Sequence, residues 1–474
     1  MPIRSSANHG IEIGRRALHA QQAGLNATGH NIANANTPGF SRRAVVLENV
    51  ITGAQNGLGT GADVASIQRQ RSTFDDAQMR VQQQVLGRWE ALEKGMESIE
   101  GVFNEPVGAG AGEAGTVFNE PSGLGISGSL SRFWNAWQDL ANMPESGAAR
   151  AAVRQEADFL INTMHQYDDK LSNIKDQIDQ SIFYQIEEVN GLLDQLAELN
   201  DQLPEANFGG IEAADLKDRR DLLIDQLSNR IDVSLVEHDN GQLSVLVSGR
   251  HLVEGDRALH LEVRQSSEDG SSFIQVMLPD GGGIAPIGGG QLLGLTELAH
   301  ENIPDFVDRI DQMASAIVEG VNSLHRSGFG LEGSTGVNFF DSEKLAANNI
   351  AISDAVLSDL NSIAASVDGN SGDNELALSI SSLRNSSLMQ EGTQTIEGFH
   401  NEMLGEVGAK SREAQTMAEN NRLFADQIEN RRQGIQGVSL NDEASQLVLY
   451  QRAYQAAART VSIIDDLMEV AINI

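Results

Sequence analysis

The chain has 474 residues, 40% hydrophobic and 5% aromatic, with 33 basic and 67 acidic residues and a formal net charge of -34. Such an acidic surface repels phosphate backbones and anionic bilayers, which argues against nucleic-acid and membrane partners. It contains no cysteine, so disulfides and thiolate zinc sites are excluded.

The charge is unevenly placed. Residues 1–60 hold five Arg and two Glu, and residues 431–474 hold four Arg and five acidic residues, which leaves -36 for residues 61–430. Nearly neutral ends suit contact with protein, and an acidic centre suits water. Met1-Pro2-Ile3-Arg4 leads into polar, Gly-rich sequence without the apolar core of a signal peptide. Nor does any apolar run approach membrane-spanning length.

Residues 10–35 read as a helix, with Ile11, Leu18, Leu25 and Ile32 at seven-residue spacing and Ala17, Ala20 and Ala27 allowing close approach of a partner. Asn36-Thr37-Pro38-Gly39 stops it. Residues 44–70 predict short extended segments around a flexible loop, Gly53 to Gly61. Helix returns over 73–100. A loop over 103–121 carries a duplication, Phe103-Asn104-Glu105-Pro106 and Phe118-Asn119-Glu120-Pro121. A short helix over 129–141 holds Phe133, Trp134 and Trp137. One very long helix spans 147–202, with Pro204 just beyond its end, and another covers 213–228.

The period then changes to two. Val233 and Leu235, the turn Asp239-Asn240-Gly241, and Leu243, Val245 and Val247 predict a hairpin. Segments 259–264 and 272–278 read as further strands, and Gly281 to Gly290 closes the region. Helix resumes from Leu292 to about Leu324, 325–375 is irregular, and helices cover about 376–430 and 440–472. In the last one Leu440, Leu447, Tyr454, Val461 and Met468 share one heptad position, and Tyr450, Ala457, Ile464 and Ala471 another. That pattern fits an amphipathic helix packed on its own domain. It also fits a terminal helix that pairs with the first one and with neighbouring subunits. The expected fold is mainly α with a small β subdomain at about 229–290. The terminal helices form an α-helical coiled coil around an elongated helical core. The expected domains are 1–60, 61–430 and 431–474.

Catalytic and ligand motifs are wanting. Gly123-Leu124-Gly125-Ile126-Ser127-Gly128 matches the dinucleotide fingerprint in letters, but Glu120-Pro121-Ser122 precedes it where the mechanism needs a strand. A flexible lead-in to the next helix, capped by Ser129, is the plainer reading. The ten histidines make no metal pattern. Asp215, Asp218, Asp221 and Asp225 lie at helical spacing with Arg219 and Arg220 between them, which reads as a solvated, ion-paired helix face rather than an acid–base pair. No enzyme activity, cofactor or metal is expected.

The string Leu25-Asn26-Ala27-Thr28-Gly29-His30-Asn31-Ile32-Ala33-Asn34-Ala35-Asn36-Thr37-Pro38-Gly39-Phe40-Ser41 resembles the N-terminal signature of flagellar rod, hook and hook-associated axial proteins. Val438-Ser439-Leu440-Asn441-Asp442-Glu443-Ala444, with Tyr450-Gln451 and Ala453-Tyr454-Gln455-Ala456 beyond it, resembles their C-terminal signature. Phe118 to Ser127, Phe133-Trp134-Asn135-Ala136-Trp137, Ala141-Asn142-Met143-Pro144, Gly290-Gln291-Leu292-Leu293-Gly294-Leu295, Asn322-Ser323-Leu324-His325 and Asn338-Phe339-Phe340 resemble stretches particular to the hook-associated protein 1 branch.

The resemblance implies a structural subunit at the junction of hook and filament. It implies export unfolded through the flagellar apparatus without a cleaved signal peptide, with an export chaperone as partner. It further implies self-assembly into an extracellular ring, with hook protein below and a second hook-associated protein above. Assembly would rest on Ile11, Leu18, Leu25, Ile32, Leu440, Leu447, Tyr450, Tyr454, Val461 and Ile464, with Asn31, Asn34, Asn36, Pro38 and Gly39 fixing the bend after the first helix. Members often carry a β-rich outer domain after the Phe-Phe segment; here Phe340 leads to irregular sequence and helix, so a slimmer subunit is expected. The alternatives are another rod or hook subunit, or an acidic nucleotide-binding protein using Gly123 to Gly128.

Overall fold

The computed structural model describes residues 2–49, 61–103, 125–206, 211–268 and 271–472. The Phe-Asn-Glu-Pro duplication beyond Phe103, the Gly53–Thr60 loop and Gly123-Leu124 lie outside them. Eleven α-helices and eight strands follow in chain order among these residues: α1 Pro2–Ala33, β1 Arg43–Asn49, β2 Ala62–Arg69, α2 Thr73–Phe103, α3 Ile126–Asn142, α4 Gly147–Ala206 and α5 Ile211–Arg230. Next come β3 Ser234–Glu237, β4 Leu243–Val247, β5 Arg250–Glu254, β6 Arg257–Ala258, β7 Glu262–Glu268 and β8 Ser271–Met277. The chain ends with α6 Gly290–Glu297, α7 Ile303–His325, α8 Asp354–Ser358, α9 Glu375–Ser382, α10 Ile396–Gln436 and α11 Leu440–Ile472. The fold is mainly α with a small β region.

The 60-residue helix α4 is the spine, about 90 Å long at 1.5 Å per residue. Its apolar stripe, Leu160, Leu171, Ile178, Ile182, Ile186, Val189 and Leu193, is buried against α2, α3 and α5 to α7. Pro204 sits inside its last turn rather than beyond it. A proline there leaves the carbonyl four residues back without an amide. The side-chain Nε2 of Gln242 supplies the missing bond, donating to Asn200 O at 3.1 Å. The Asn200 side chain then holds the hairpin, donating to Leu243 O at 2.7 Å and accepting from Leu243 N at 2.9 Å. The β region consists of an antiparallel four-stranded sheet, β3-β4-β5-β6, and the β7-β8 hairpin.

The helix expected from Leu292 to Leu324 is interrupted by a π turn, Leu298–Asn302. Pro304 follows within the first turn of α7 and cannot donate to the preceding turn, which favours the wider winding. Ser129 is not a cap. It lies inside α3, fully buried, with its hydroxyl donating to Ile126 O at 2.9 Å.

Motifs far apart in sequence meet in one aromatic core. Phe133, Trp137, Phe339 and Phe340 are fully buried; Trp137 and Phe339 have ring centroids 5.3 Å apart, and Phe339 and Phe340 4.9 Å apart. Asn322 satisfies the Phe-Phe backbone, accepting from both amides at 2.9 Å and donating to Phe340 O at 3.0 Å. Beyond Phe340 the described chain forms short helices and isolated bridges before α10. Thr395 starts α10, its hydroxyl accepting from Gly398 N at 3.1 Å.

Close approach explains the Gly290-to-Leu295 motif. Gly290 has φ +79° and sits on the Arg230 backbone, while Gly294 abuts the Arg88 carbonyl of α2. Gly294→Val is expected to lower the stability of the core by about 1–3 kcal/mol through overpacking, read as a fall in the urea midpoint. An unchanged midpoint would show that the α2–α6 seam yields freely.

Candidate functional site: the terminal helix pair and its arginine–aspartate joint

The two ends of the chain form one antiparallel coiled pair. Gly10 faces Ile464, Gly14 faces Val461, and Gly24 faces Tyr450, where an added Cβ would stand 2.6 Å from the ring. Asn31 donates to Glu443 at 3.1 Å. In every facing pair the two residue numbers add to 474 or 475, so a single register holds along the whole helix pair. The seam on α1 is built of small side chains. Gly14, Ala20, Gly24, Ala27 and Asn31 are buried, while Ile11, Leu18, Leu25 and Ile32 are half-buried. On α11, Leu447, Tyr450, Val461 and Ile464 are half-buried, whereas Leu440 and Tyr454 are exposed. Leu440 has no facing residue on α1, because the register would place it opposite position 34, past the end of the helix at Ala33.

The asparagine string turns the chain onto this pair. Asn31 is 1% exposed. Its side chain accepts from Arg43 N at 2.9 Å and donates to Arg43 O at 3.0 Å, the bonds a neighbouring strand would make. Asn34 donates to His30 O at 3.0 Å and accepts from the Thr37 hydroxyl at 3.2 Å. Gly39 has φ +77° and lies on Leu222 of α5, where a Cβ would sit at 3.0 Å. Asn36 and Pro38 are exposed and line an open cleft with Gln433 to Ser439. Glu443, buried on α11, accepts from Arg42 at 2.6 Å as well as from Asn31. One carboxylate thus ties both ends of the chain.

An ionic joint fixes the helix pair to the core. Arg43 pairs with Asp215; Arg69 reaches Asp218 and Asp221, both at 2.9 Å; Arg71 reaches Asp76 at 2.6 Å and Asp221 at 3.3 Å. Arg80 meets Asp225 at 3.0 Å, and Arg432 meets Asp225 at 2.7 Å and Asp76 at 3.0 Å. Asp218, Asp221 and Arg432 are buried. Burial alone would raise the Asp221 carboxyl, but the charges of Arg71, Arg69, Arg220 and Arg80 outweigh it and hold it below the ordinary carboxylate range. Burial likewise works against the Arg71 guanidinium, and Asp221 and Asp76 reverse the effect and raise it.

Asp215 alone of the α5 aspartates faces solvent, so this is not the solvated face expected, and of the local arginines Arg220 pairs with Asp221. The other counter-charges of Asp218, Asp221 and Asp225 come from segments 140 or more residues away. Sequence reading missed Arg42, Arg43, Arg69, Arg71, Arg432 and Glu443 as members of this joint. The available signal was the pairing of Arg42-Arg43, Arg69-x-Arg71 and Arg431-Arg432 with four aspartates spaced along one helix. The described part of the glycine run, Gly125 to Gly128, opens α3.

The comparisons with known proteins converge on one family. The model of the flagellar hook-associated protein FlgK helical domain matches residues 112–340. That of the flagella basal body rod protein matches residues 11–40, and that of the flagellar basal body rod FlgEFG protein C-terminal matches 435–474. Flagellar hook-associated protein 1 of Bacillus subtilis is 28% identical over 98% of this chain and 97% of its own length. Its Salmonella typhimurium counterpart is 28% identical over 71% of this chain and 59% of its own length. The structure of the flagellar hook junction protein FlgK from Burkholderia pseudomallei superposes with a TM-score of 0.64 at 14% identity, covering 76% of this chain and all of that one; at that identity the likeness speaks for the fold. The chain belongs to the flagellar hook-associated protein 1 family, and it is a structural protein of the bacterial flagellum, not an enzyme.

Proposed function

We propose that the chain is a subunit of the hook–filament junction, which assembles through the outer faces of its terminal helices. The observation that carries this reading is an uncovered apolar face on α11. Its inner face meets α1, yet Val448, Leu449, Ile463, Leu467 and Val470 are all exposed. A helix apolar on two sides asks for a second partner. The half-buried Ile11, Leu18, Leu25 and Ile32 beside the α1 seam add to that surface. The division of labour follows the charge. Residues 1–60 and 431–474 form the axial unit, and 61–430, carrying the acid, form the wall around it.

In this reading the subunit leaves the cell unfolded through the flagellar export system, escorted by a chaperone and without a cleaved signal peptide. It then closes into an extracellular ring between hook protein below and a second hook-associated protein above. The absence of cysteine suits a chain that must stay unlinked during passage. Replacing Leu449 and Ile463 together by Asp is expected to abolish incorporation into flagella while leaving the thermal transition of the core in place. Electron microscopy of cells carrying the variant and calorimetry of the purified chain read the two arms. Normal incorporation would sink the role of the outer face.

A further inference from the structure

Asparagine followed by glycine is the dipeptide whose backbone most readily attacks its own side chain, because no Cβ on the glycine stands in the way. Asn-Gly occurs at Asn56, Asn190 and Asn240. Asn56-Gly57 lies outside the described residues. The fold treats the other two differently.

Asn190-Gly191 lies inside the 60-residue helix α4, where the Gly191 amide is committed to the helical ladder. The Asn190 side chain is held as well, accepting from Leu261 N and donating to Leu261 O, both at 2.9 Å. Asn240-Gly241 sits at the tip of the β3-β4 hairpin. Asn240 is exposed and Gly241 half-buried. Of Asp239, Asn240 and Gly241, only Gly241 takes a positive φ, +86°. Its amide makes a turn bond to His238 O at 2.9 Å. The Asn240 side chain bonds Gln242, accepting from the backbone amide at 3.0 Å and donating to Oε1 at 2.8 Å. Local bonds of this kind open without disturbing the sheet, whereas freeing Gly191 means unwinding the spine.

We infer that Asn240 is a site of spontaneous modification by water, and that its conversion loosens the ionic joint. The Gly241 nitrogen gives its proton to hydroxide and attacks Asn240 Cγ. The bond from Cγ to Nδ2 breaks, ammonia leaves, and a succinimide ring closes. Water then opens the ring at either carbonyl. One product is aspartate; the other is isoaspartate, in which the main chain runs through the side chain. Water is the only co-reactant, and the step is independent of what the chain assembles with.

The turn holds two long-range bonds. Gly241 O accepts from Arg220 at 3.1 Å, and Gln242 Nε2 donates to Asn200 O beside the Pro204 break. Isoaspartate adds a methylene to the main chain and displaces Gly241 and Gln242 relative to β3. Arg220 is 5% exposed and belongs to the joint through Asp221 at 3.4 Å. Losing Gly241 O leaves its buried guanidinium short of an acceptor.

The test ages the purified full chain in warm, mildly alkaline buffer, folded and in urea, and reads conversion at Asn190 and Asn240 by peptide mapping in a mass spectrometer. In the folded chain Asn240 is expected to convert at least about tenfold faster than Asn190; in urea the two should convert at similar rates. The urea midpoint of the aged chain should fall by more than that of aged Asn240→Ser, which has no side-chain amide to lose and keeps an oxygen for the Gln242 amide. Asn240 remaining intact, or converting no faster than Asn190 in the folded chain, would overturn the site. Conversion with equal falls in the two midpoints would overturn its link to the joint.

Discussion

Replacing Asp221 by Ala is expected to destabilise the protein by about 3–5 kcal/mol, the usual cost of removing one partner from a buried ion network. Asp221 is 5% exposed and touches Arg69, Arg71, Arg80 and Arg220. Without it, four guanidinium groups share Asp76, Asp218, Asp225 and Glu237. Arg71, half-buried, and Arg220, buried, lose the carboxylate they share. The urea midpoint measures the loss, with exposed Asp201→Ala as the control. Because β2 and α2 meet α5 here, the variant should also free the terminal pair and expose Arg69 and Arg71 to trypsin at low enzyme. A loss under about 1 kcal/mol would mean that the joint is ornamental and that apolar contacts carry the connection.

Mild acid is expected to loosen the core through two histidines. His325 is buried beside Trp137 and Phe339. Its Nε2 accepts from Ala364 N at 2.9 Å, so its Nδ1 must carry the proton it gives to Val337 O at 2.7 Å. That geometry holds only for the neutral ring. Burial pushes its pKa down to about 4, and nearby Arg150 pushes the same way. Burial alone brings His400 down to about 4. The unfolded chain takes up these protons near pH 6.5 and the native state only near pH 4. Stability is therefore complete above pH 6.5 and falls as the pH drops toward 4, by about 3 kcal/mol for each histidine. Half-buried Asp168 and Asp311, whose carboxyls are raised by desolvation, act in the opposite direction. The clean comparison is therefore the slope of stability between pH 7 and 4.5 in the native chain and in His325→Gln. The variant should be weaker at pH 7 but flatter. Parallel slopes would show that His325 does not titrate in this window.

Much of the architecture was written in local periods. The helical repeats gave α2, α4, α5 and α11 to within a few residues, and the Asp239-Asn240-Gly241 turn gave the β3-β4 hairpin. What stayed hidden depends on distance along the chain. The α1 seam was read as Ile11 to Ile32 with Ala17, Ala20 and Ala27 allowing close approach; Ala20 and Ala27 are buried, but the face that meets α11 also runs through Gly14 and Gly24, which the reading did not single out. Small residues carry no hydrophobic period, yet they let two backbones approach. The joint was hidden for a different reason. Asp215 to Asp225 have arginine neighbours in sequence, and those neighbours suffice for a local account. Their main partners come from β1, β2, α2 and α10. Nor does a motif such as Asn322-Ser323-Leu324-His325 disclose its role until Asn322 and His325 are seen holding Phe339, Phe340 and Ala364.

These parts make one chain, a register-locked pair of terminal helices, an ionic joint and an acidic core, and the proposed function makes it what the filament stands on. The most direct measurement is deletion of the gene in its source bacterium, with electron microscopy of the cells and an assay of flagellin in the medium. The expected result is hooks without filaments and flagellin lost to the medium. Filaments of normal length and number on the deletion strain would contradict it.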